Sequence, residues 1–362
     1  MTMEQQRLLV FVGSYAEAEE SGVYVYAFDE ESGTLTMTDS IAGLKNPTFL
    51  NVDADRSLLY AIAETVNQSG QKVGEAAAFA IDAVKGSVQL LNREITVDST
   101  TCHIQRDGNS EFLTVTSYHG GMIGLFSIAE DGAIGQKLDV IQHEGKSQHP
   151  ERQDRPHPHS SFYSPDEQFL LVADLGLDRI VTYKLDHDAK KLIHQSQVAL
   201  HPGAGPRHLT FHPNGGFVFV INEVDSTITS FTYEKETGRL TTLATVSTLP
   251  AGFEGENSCA EITVSADGKY LYGSNRGHDS LVVFAIDERS GLLTLLQHIS
   301  VEGGHPRHFA LTPNGRYLLA ANRDSDNIVT FEVDQNSGKL LFTGKSVTLA
   351  KPVCVVPVYL TT

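Results

Sequence analysis

Arginine, histidine and glutamate recur in short motifs of this sequence. Two Pro-Arg-His motifs contain Arg207 and Arg307, and a Pro-His-Pro-His motif ends at His159. Glu223 closes an Ile-Asn-Glu stretch. Guanidinium groups bind carboxylate and phosphate groups bidentately, whereas imidazole and carboxylate groups transfer protons. If the fold brings these four side chains together, they would bind an anion and activate a water molecule.

The histidines His157 and His159 have a spacing that also occurs in metal sites. A metal site needs further ligands, and neither a partnering cysteine nor a spaced set of acidic residues accompanies this pair. We therefore predict no metal and no cofactor. The expected ligand is a small anionic molecule.

A repeated turn identifies the elements that must position these residues. The copies of Asp/Glu-x-x-Ser/Thr-Gly-x-Leu and its weaker variants end at residues 35, 88, 134, 192, 240, 293 and 340. Turns of this composition between β-branched and aromatic runs are typical of hairpins. Seven copies with a period near 50 residues predict an all-β fold, a seven-bladed β-propeller of four-stranded antiparallel blades.

The two ends of the chain complement each other within this repeat. Residues 351–358 resemble the first strand of a blade, and residues 8–40 resemble the other three strands. We expect the C-terminal strand to join the N-terminal blade, which closes the ring and removes two exposed sheet edges. The chain is therefore predicted to be one domain, 1–362, although its length would usually suggest two or three domains.

Hairpin geometry predicts which residues meet at one end of the central channel. The first strand of each blade should line the channel, and positions equidistant from a turn should lie opposite each other. This rule pairs Arg207 with Glu223 and Arg307 with Arg323. It also brings further residues to the channel mouth: Glu64, His103, His159 and Arg276, with His157 beside them.

Such a gathering of arginines has two interpretations. Several guanidinium groups around one opening repel one another unless an anion is present, which favours an anion site. Alternatively, these residues satisfy one another through salt bridges and water. The polar segment 142–160 makes one repeat longer than the others. It also has two interpretations, a functional loop at the same face or a solvated connection.

Charge and composition exclude several classes of protein. The net charge is −18, from 27 Lys and Arg against 45 Asp and Glu, which argues against nucleic-acid partners and anionic membranes. No stretch of about 18 apolar residues appears, and residues 1–7 lack the organisation of a signal peptide. Three cysteines in apolar contexts indicate reduced thiols. We therefore expect a cytoplasmic protein.

Together the motifs resemble the bacterial seven-bladed propeller lactonase family. That family includes the propeller-type 6-phosphogluconolactonases and the fungal carboxymuconate lactonising (cycloisomerase) enzymes. The resemblance covers essentially the whole chain, with departures at Asn46-Pro-Thr and at Ser258-Cys-Ala-Glu. The stretches that carry it are Val12-Gly-Ser-Tyr15, Arg155-Pro-His-Pro-His-Ser160, Gly205-Pro-Arg-His-Leu209, Val220-Ile-Asn-Glu223, Gly304-His-Pro-Arg-His308 and Asn314-Gly-Arg-Tyr-Leu318.

The resemblance implies hydrolysis of 6-phosphogluconolactone to 6-phosphogluconate in the pentose phosphate pathway. Its catalytic set would be His159, Arg207, Glu223 and Arg307. Either Glu223 or His159 would activate water, and either Arg207 or Arg307 would stabilise charge on the carbonyl oxygen. Arg276 and Arg323 would hold the phosphate. The full set assigned to substrate binding is Arg276, Arg323, His157, Glu64 and His103.

Two other functions stay open at this point. The same arginines would suit a lactonising or delactonising enzyme for a carboxylate substrate. A propeller can also be a non-catalytic interaction scaffold, because one fold supports many functions. For the assembly we predict a monomer or a weak homodimer.

Overall fold

The computed structural model describes residues 6–362, which form seven four-stranded antiparallel sheets. Within these residues the single helical element is a 3-10 turn, Leu175–Leu177. The predicted all-β fold, a seven-bladed β-propeller, is confirmed. No helix among the described residues is long and apolar enough to cross a membrane.

The strands follow one another blade by blade. In chain order they are β1 (Gln6–Ser14), β2 (Ser21–Asp29) and β3 (Thr34–Ala42); β4 (Leu50–Asp53), β5 (Leu58–Val66), β6 (Lys72–Asp82) and β7 (Ser87–Ile95); β8 (His103–Arg106), β9 (Phe112–Ser117), β10 (Met122–Ile128) and β11 (Ile134–Gln142); β12 (Pro158–Tyr163), β13 (Phe169–Asp174), β14 (Arg179–Asp186) and β15 (Lys191–Ala199); β16 (Pro206–Phe211), β17 (Phe217–Asn222), β18 (Thr227–Glu234) and β19 (Arg239–Ser247); β20 (Ser258–Val264), β21 (Tyr270–Arg276), β22 (Ser280–Ile286) and β23 (Leu293–Ser300); β24 (Pro306–Leu311), β25 (Tyr317–Asn322), β26 (Asn327–Val333) and β27 (Leu340–Thr348); and β28 (Pro352–Thr361).

Strand β28 closes the ring by pairing with β1 in a seventh sheet of order β28-β1-β2-β3. The antiparallel pairing extends from Gln6 opposite Thr361 to Gly13 opposite Cys354. The predicted closure is therefore confirmed, and β28 covers the edge of β1 that would otherwise be unpaired. The assignment of residues 1–362 to one domain stays a prediction.

The core lies between the blades. Seven clusters of buried apolar side chains each join two neighbouring sheets. In the cluster between the sheet β28-β1-β2-β3 and the sheet β4-β5-β6-β7, for example, Phe11 packs with Phe79. The two side chains are 0% and 1% exposed. Burying one such side chain stabilises the fold by roughly 1.5–3 kcal/mol. The β-branched and aromatic runs of the sequence therefore provide the rigid ring that positions the channel residues.

Bulges interrupt five of the seven innermost strands near the same end of the channel. In β12 the register passes from Pro158 to Ser160, so that His159 is left out of the pairing. The same shift leaves Arg207 unpaired in β16 and Arg307 unpaired in β24. Related shifts occur in β20 and β28. A bulge adds one residue to a strand and redirects its side chain.

These bulges correct the predicted register of the hairpins. Turn arithmetic placed Arg207 opposite Glu223, but the backbone amide of Glu223 donates to the carbonyl of Gly205. In the sixth blade, likewise, Arg323 donates to the carbonyl of His305 rather than lying opposite Arg307. The arithmetic assumed uninterrupted ladders, whereas one extra residue per inner strand shifts the pairing at the mouth.

Candidate active site

The mouth of the central channel holds a cavity of about 250 Å³. We call the residues that line this cavity the channel mouth. They come from strand ends near the channel, from strand β5 and from the connecting loops: Tyr15, Thr48, Glu64, Thr100, Thr101, Cys102, Tyr118, His119, Arg152, His159, Glu223 and Arg307.

Glu223 is the centre of an arginine cluster at this mouth. Its Oε2 atom lies 2.9 Å from Nη2 of Arg276 and 3.0 Å from Nε of Arg207. The second contact is an ion pair without hydrogen-bond alignment, because Nε of Arg207 has no hydrogen-bond partner. Arg152 binds the other carboxylate oxygen, Oε1. One buried anion therefore holds three guanidinium groups in place.

This cluster fixes the charge of Glu223. Burial alone would raise the pKa of the carboxyl group, but Arg276, Arg207 and Arg152 outweigh burial and hold the pKa well below its usual range. The side chain is thus ionised at neutral pH. Such a carboxylate has little affinity for a proton, and its role is to anchor the arginines.

Arg207 and Arg276 are also held by the backbone. Arg207 Nη1 donates to the carbonyl of Ala260 at 2.7 Å. Arg276 donates from Nε to Ser258 and from Nη2 to Cys259, at 3.2 and 2.5 Å. Their exposed fractions are only 3% and 7%. Both arginines therefore lie beneath the cavity, and neither is among the residues that line it.

His159 lines the cavity next to this cluster. Its Nε2 atom is 4.0 Å from Oε2 of Glu223, beyond hydrogen-bond distance. Its Nδ1 atom is buried and has no hydrogen-bond partner in the part of the chain that the structure describes. Burial, followed by the charge of Arg207 and the neighbouring His208, lowers the pKa of His159 well below its usual value. The imidazole is therefore neutral and able to accept a proton at neutral pH.

Arg307 differs from the other arginines of the mouth. Among the described residues 6–362 it forms no ion pair, and its guanidinium carbon lies 5.8 Å from the centre of the Tyr15 ring. The side chain is half-buried and lines the cavity. A guanidinium held over an aromatic face keeps its donors free for an anionic ligand.

Arg323 lies further out, in an adjoining cavity of about 640 Å³ that also contains Tyr15 and Lys351. Its guanidinium pairs with Asp324 at 2.6 Å. Tyr15 borders both cavities. Asp324 and Asp326 line this cavity beside Arg323 and Lys351. The two cavities together have room for a ligand longer than the first cavity alone would hold.

The other predicted substrate-binding residues are divided between the mouth and its supports. Glu64 lines the cavity. His157 does not; its ring stacks on Tyr118 at 4.2 Å, and its Nδ1 lies 2.8 Å from the Tyr118 carbonyl. His103 is fully buried one residue after Cys102, with its ring 4.4 Å from Phe49. His157 and His103 thus support the mouth without lining it.

Sequence reasoning missed Arg152, which the long segment 142–160 delivers to Glu223. The start of this segment is anchored by His143, whose ring nitrogens lie 2.6 Å from Asp174 and 2.8 Å from the Tyr183 hydroxyl. Gln153, next to Arg152, donates to Asp178 at 2.6 Å. The segment is therefore held in place at the mouth. The unusual length of this repeat was the available signal.

Two other chemistries receive no support from the geometry. Cys102 lines the mouth, but burial raises the pKa of its thiol to about 12, so that the reactive thiolate is not formed at neutral pH. Across residues 6–362, no group of three or more histidine, cysteine, aspartate or glutamate side chains is arranged to hold a metal ion.

The fold and the mouth define a seven-bladed β-propeller with an arginine-containing cavity at one end of its channel. The family model "Lactonase, 7-bladed beta-propeller" matches residues 9–357. The chain belongs to this lactonase family, a family of lactone-hydrolysing enzymes, and the resemblance noted in the sequence is confirmed.

Individual relatives agree with this assignment. The chain is 32% identical over 345 residues to a 6-phosphogluconolactonase of Bacillus subtilis, which covers 95% of this chain and 97% of the relative. It is 34% identical over 311 residues to a 6-phosphogluconolactonase of Formosa agariphila, covering 84% and 86%. The solved structure of the periplasmic gluconolactonase of Pseudomonas aeruginosa is 32% identical and superposes with a TM-score of 0.90 over 98% of this chain and 99% of that one.

Gly176 provides a test of how the long segment is positioned. A Cβ atom at Gly176 would lie 2.0 Å from the carbonyl oxygen of Arg155 and 2.7 Å from the amide nitrogen of His157. Gly176→Ala should therefore displace this segment and Arg152 with it. We expect a loss of about 1–3 kcal/mol in the free energy of unfolding and reduced lactonase activity, measured by denaturant titration and a lactone assay.

The matched control for this substitution is Gly216→Ala. A Cβ atom there meets nothing closer than 3.3 Å, and that neighbour is the Asn214 side chain, which can move. This variant should retain wild-type stability and activity. If Gly176→Ala behaved in the same way, the segment would not need the close contact.

Proposed function

We propose that the protein hydrolyses 6-phosphogluconolactone to 6-phosphogluconate, the reaction of this class in the pentose phosphate pathway. The observation that carries the proposal is that one small cavity contains both a neutral imidazole, His159, and Arg307, which forms no ion pair within residues 6–362. Lactone hydrolysis needs these two elements, a base for water and a cation for the charge that develops on the carbonyl oxygen. The names of the Bacillus subtilis and Formosa agariphila relatives support the choice of substrate.

In this mechanism His159 is the base. Its neutral imidazole accepts a proton from water as the water oxygen attacks the lactone carbonyl carbon. It then returns that proton to the ring oxygen as the carbon–oxygen bond breaks. Glu223 is the weaker candidate, because three arginines already occupy its carboxylate oxygens and hold its pKa below the ordinary value.

Two arginines each bind one negatively charged part of the substrate. Arg307 lines the same cavity as His159, forms no ion pair with any described residue, and stabilises the carbonyl oxygen in the transition state. Arg323, with Lys351 in the adjoining cavity, holds the phosphate at the far end of the substrate. Arg207 and Arg276 were the other candidates for these roles. Their contacts with Glu223 and with backbone carbonyls instead suit them to supporting the site.

The pKa of His159 predicts the pH dependence of the reaction. A base works only when deprotonated, so kcat/KM should fall as the pH falls through the pKa of His159. Since burial and Arg207 lower this pKa below the ordinary 6.5, the midpoint of the acid limb should lie below pH 6.5. A pH–rate profile would contradict the assignment if the midpoint lay at or above that value.

The function itself is tested with freshly generated 6-phosphogluconolactone, after correction for its spontaneous opening. We expect enzymatic hydrolysis, and a higher kcat/KM for the phosphorylated lactone than for unphosphorylated gluconolactone. Equal turnover of the two would remove the phosphate assignment and leave a general lactonase. Faster turnover of a dicarboxylate lactone would favour the carboxylate alternative, and no turnover of any lactone would favour a scaffold.

The proposal includes a cytoplasmic location and a monomer or weak homodimer. Its support is the reaction, whose product belongs to cytoplasmic sugar-phosphate metabolism, and the three free cysteines, Cys102, Cys259 and Cys354. The gluconolactonase of Pseudomonas aeruginosa is described as periplasmic, so a direct localisation measurement separates the two compartments.

A further inference from the structure

One side of the channel mouth is lined by polar side chains that the mechanism above leaves without a role. Glu64 lies on β5, Thr48 on the loop before β4, and Thr100 on the loop before β8. His159 and Arg307, the groups that act on the lactone carbonyl, instead come from β12 and β24. We call Thr48, Glu64 and Thr100 the Glu64 wall, a second polar surface of the same cavity.

The carboxylate of Glu64 has no protein partner. Within residues 6–362 it forms neither an ion pair nor a side-chain hydrogen bond. Its backbone amide donates to the carbonyl of Lys45 at 2.9 Å, but the Lys45 ammonium group binds Glu17 instead, at 2.7 Å. Burial lowers the pKa of His119, another residue of the mouth, and the charge of Glu64 acts in the opposite direction. Because an ionised carboxylate only accepts hydrogen bonds, Glu64 offers two free acceptors to a ligand.

The hydroxyl groups of Thr48 and Thr100 are also free. Neither forms a side-chain hydrogen bond with any part of the chain that the structure describes, and both side chains are half-buried in the mouth. A threonine hydroxyl donates one hydrogen bond and accepts others. The Glu64 wall thus combines free acceptors with free donors, which matches a ligand that carries several hydroxyl groups.

The charges of the mouth disfavour the other ligands that a free carboxylate attracts. A cation beside Glu64 would be repelled by Arg152 and Arg307, which line the same cavity of about 250 Å³. An anionic group at this wall would meet the like charge of Glu64. The phosphate site proposed above lies in the adjoining cavity, which Glu64 does not line. A neutral hydroxyl donor is compatible with all of these charges.

We propose that Glu64 is a specificity-determining residue that binds neighbouring hydroxyl groups of the lactone ring, an inference that rests on the proposed lactone hydrolysis. Its two carboxylate oxygens accept hydrogen bonds from two such groups, and Thr48 and Thr100 bind the oxygen atoms beside them. A site built to bind a hydroxyl group rejects an analogue that lacks it, because the polar atoms of the site are then left unpaired. The Glu64 wall therefore selects polyhydroxylated lactones.

The test compares gluconolactone, which carries several hydroxyl groups, with δ-valerolactone, which has the same ring without them. The wild type should have a much higher kcat/KM for gluconolactone. Glu64→Ala should lower that value about 10- to 100-fold, the usual effect of leaving hydrogen-bonding groups of the complex unpaired, mainly by raising KM. Its kcat/KM for δ-valerolactone should stay at the wild-type value. Glu64→Gln keeps one acceptor and should be intermediate with gluconolactone.

Glu94→Ala is the matched control. Glu94 is a glutamate of the same sheet, on β7, but it is exposed and lies outside the mouth. This variant should match the wild type with both lactones. The proposal is overturned if Glu64→Ala leaves kcat/KM for gluconolactone unchanged. It is also overturned if this variant lowers kcat/KM equally for both lactones, since Glu64 would then act on the reaction that the two share.

Titration calorimetry with gluconate, the product of gluconolactone opening, gives a readout that does not depend on turnover. Glu64→Ala should bind gluconate about 10- to 100-fold more weakly than the wild type does, and should bind the unsubstituted product, hydroxyvalerate, as the wild type does. If Glu64→Ala does not fold, Glu64→Gln decides by the same comparisons. Absence of hydrolysis of every lactone would refute the proposed function, whereas equal gluconate affinities of wild type and variant would refute only the assignment of Glu64.

Discussion

Replacing Arg307 by alanine is expected to lower kcat/KM for lactone hydrolysis about 10²- to 10³-fold, the usual effect of losing one donor to a developing oxyanion. The protein should fold normally, because Arg307 has no ionic partner among the described residues and its removal leaves no buried charge unpaired. Steady-state kinetics and thermal unfolding measure the two effects separately. Arg307→Lys should be intermediate, since it keeps the charge and loses the planar donors.

Arg316→Ala is the matched control for this prediction. Arg316 also lies over a tyrosine ring, with its guanidinium carbon 5.6 Å from the centre of Tyr317. It belongs to the same blade but is exposed and outside the mouth. Its removal should leave kcat/KM unchanged. Unchanged activity in Arg307→Ala as well would rule out Arg307 as the oxyanion donor.

Replacing Glu223 by alanine should cost about 3–5 kcal/mol of unfolding free energy, the typical effect of removing one partner from a buried ion pair. The substitution leaves Arg207 and Arg276 buried without their counter-charge. Lactonase activity should be lost as well, because the arginine cluster would reorganise. Denaturant unfolding at neutral pH measures the stability change.

The pH dependence of stability gives a second measure of this ion cluster. The folded-state pKa of Glu223 lies below its ordinary value of 4.5. Its contribution is therefore fully present above pH 4.5 and is lost as the pH falls towards the folded-state pKa. As the pH falls below 4.5, the free energy of unfolding of Glu223→Ala should decrease less than that of the wild type.

Glu64→Ala is the control for Glu223→Ala. Glu64 lines the same mouth but forms no ion pair within residues 6–362. Its removal should change the unfolding free energy by less than about 0.5 kcal/mol. Equal stabilities of the two variants would show that the arginine cluster does not depend on Glu223.

The fold was predictable because its signal is local and repeated. Each hairpin turn carries its own Asp, Asn or Gly residues, and seven copies reinforce one another. The positions of His159, Arg307 and Glu223 at the mouth followed from that periodicity, and the structure brings these three side chains to one cavity.

Other features of the site depend on contacts that no repeat encodes. Arg152 reaches Glu223 from an irregular segment, so that its position follows from tertiary anchors such as Asp178. The guanidinium of Arg276 donates its hydrogen bonds to backbone carbonyls of a neighbouring strand, and no repeat in the sequence indicates these contacts. His103 was predicted at the rim but lies one residue deeper, while Cys102 lines the cavity.

The bulges of the inner strands have a consequence for how this scaffold diversifies. The bulged residue Arg307 is outside the ladder of hydrogen bonds and has no ion pair among residues 6–362, so selection can exchange its side chain with little effect on the sheet. The strand flanking it retains the packing that keeps the ring folded. At such a position chemistry can change without loss of stability, and new substrate preferences can evolve by single replacements around a constant ring.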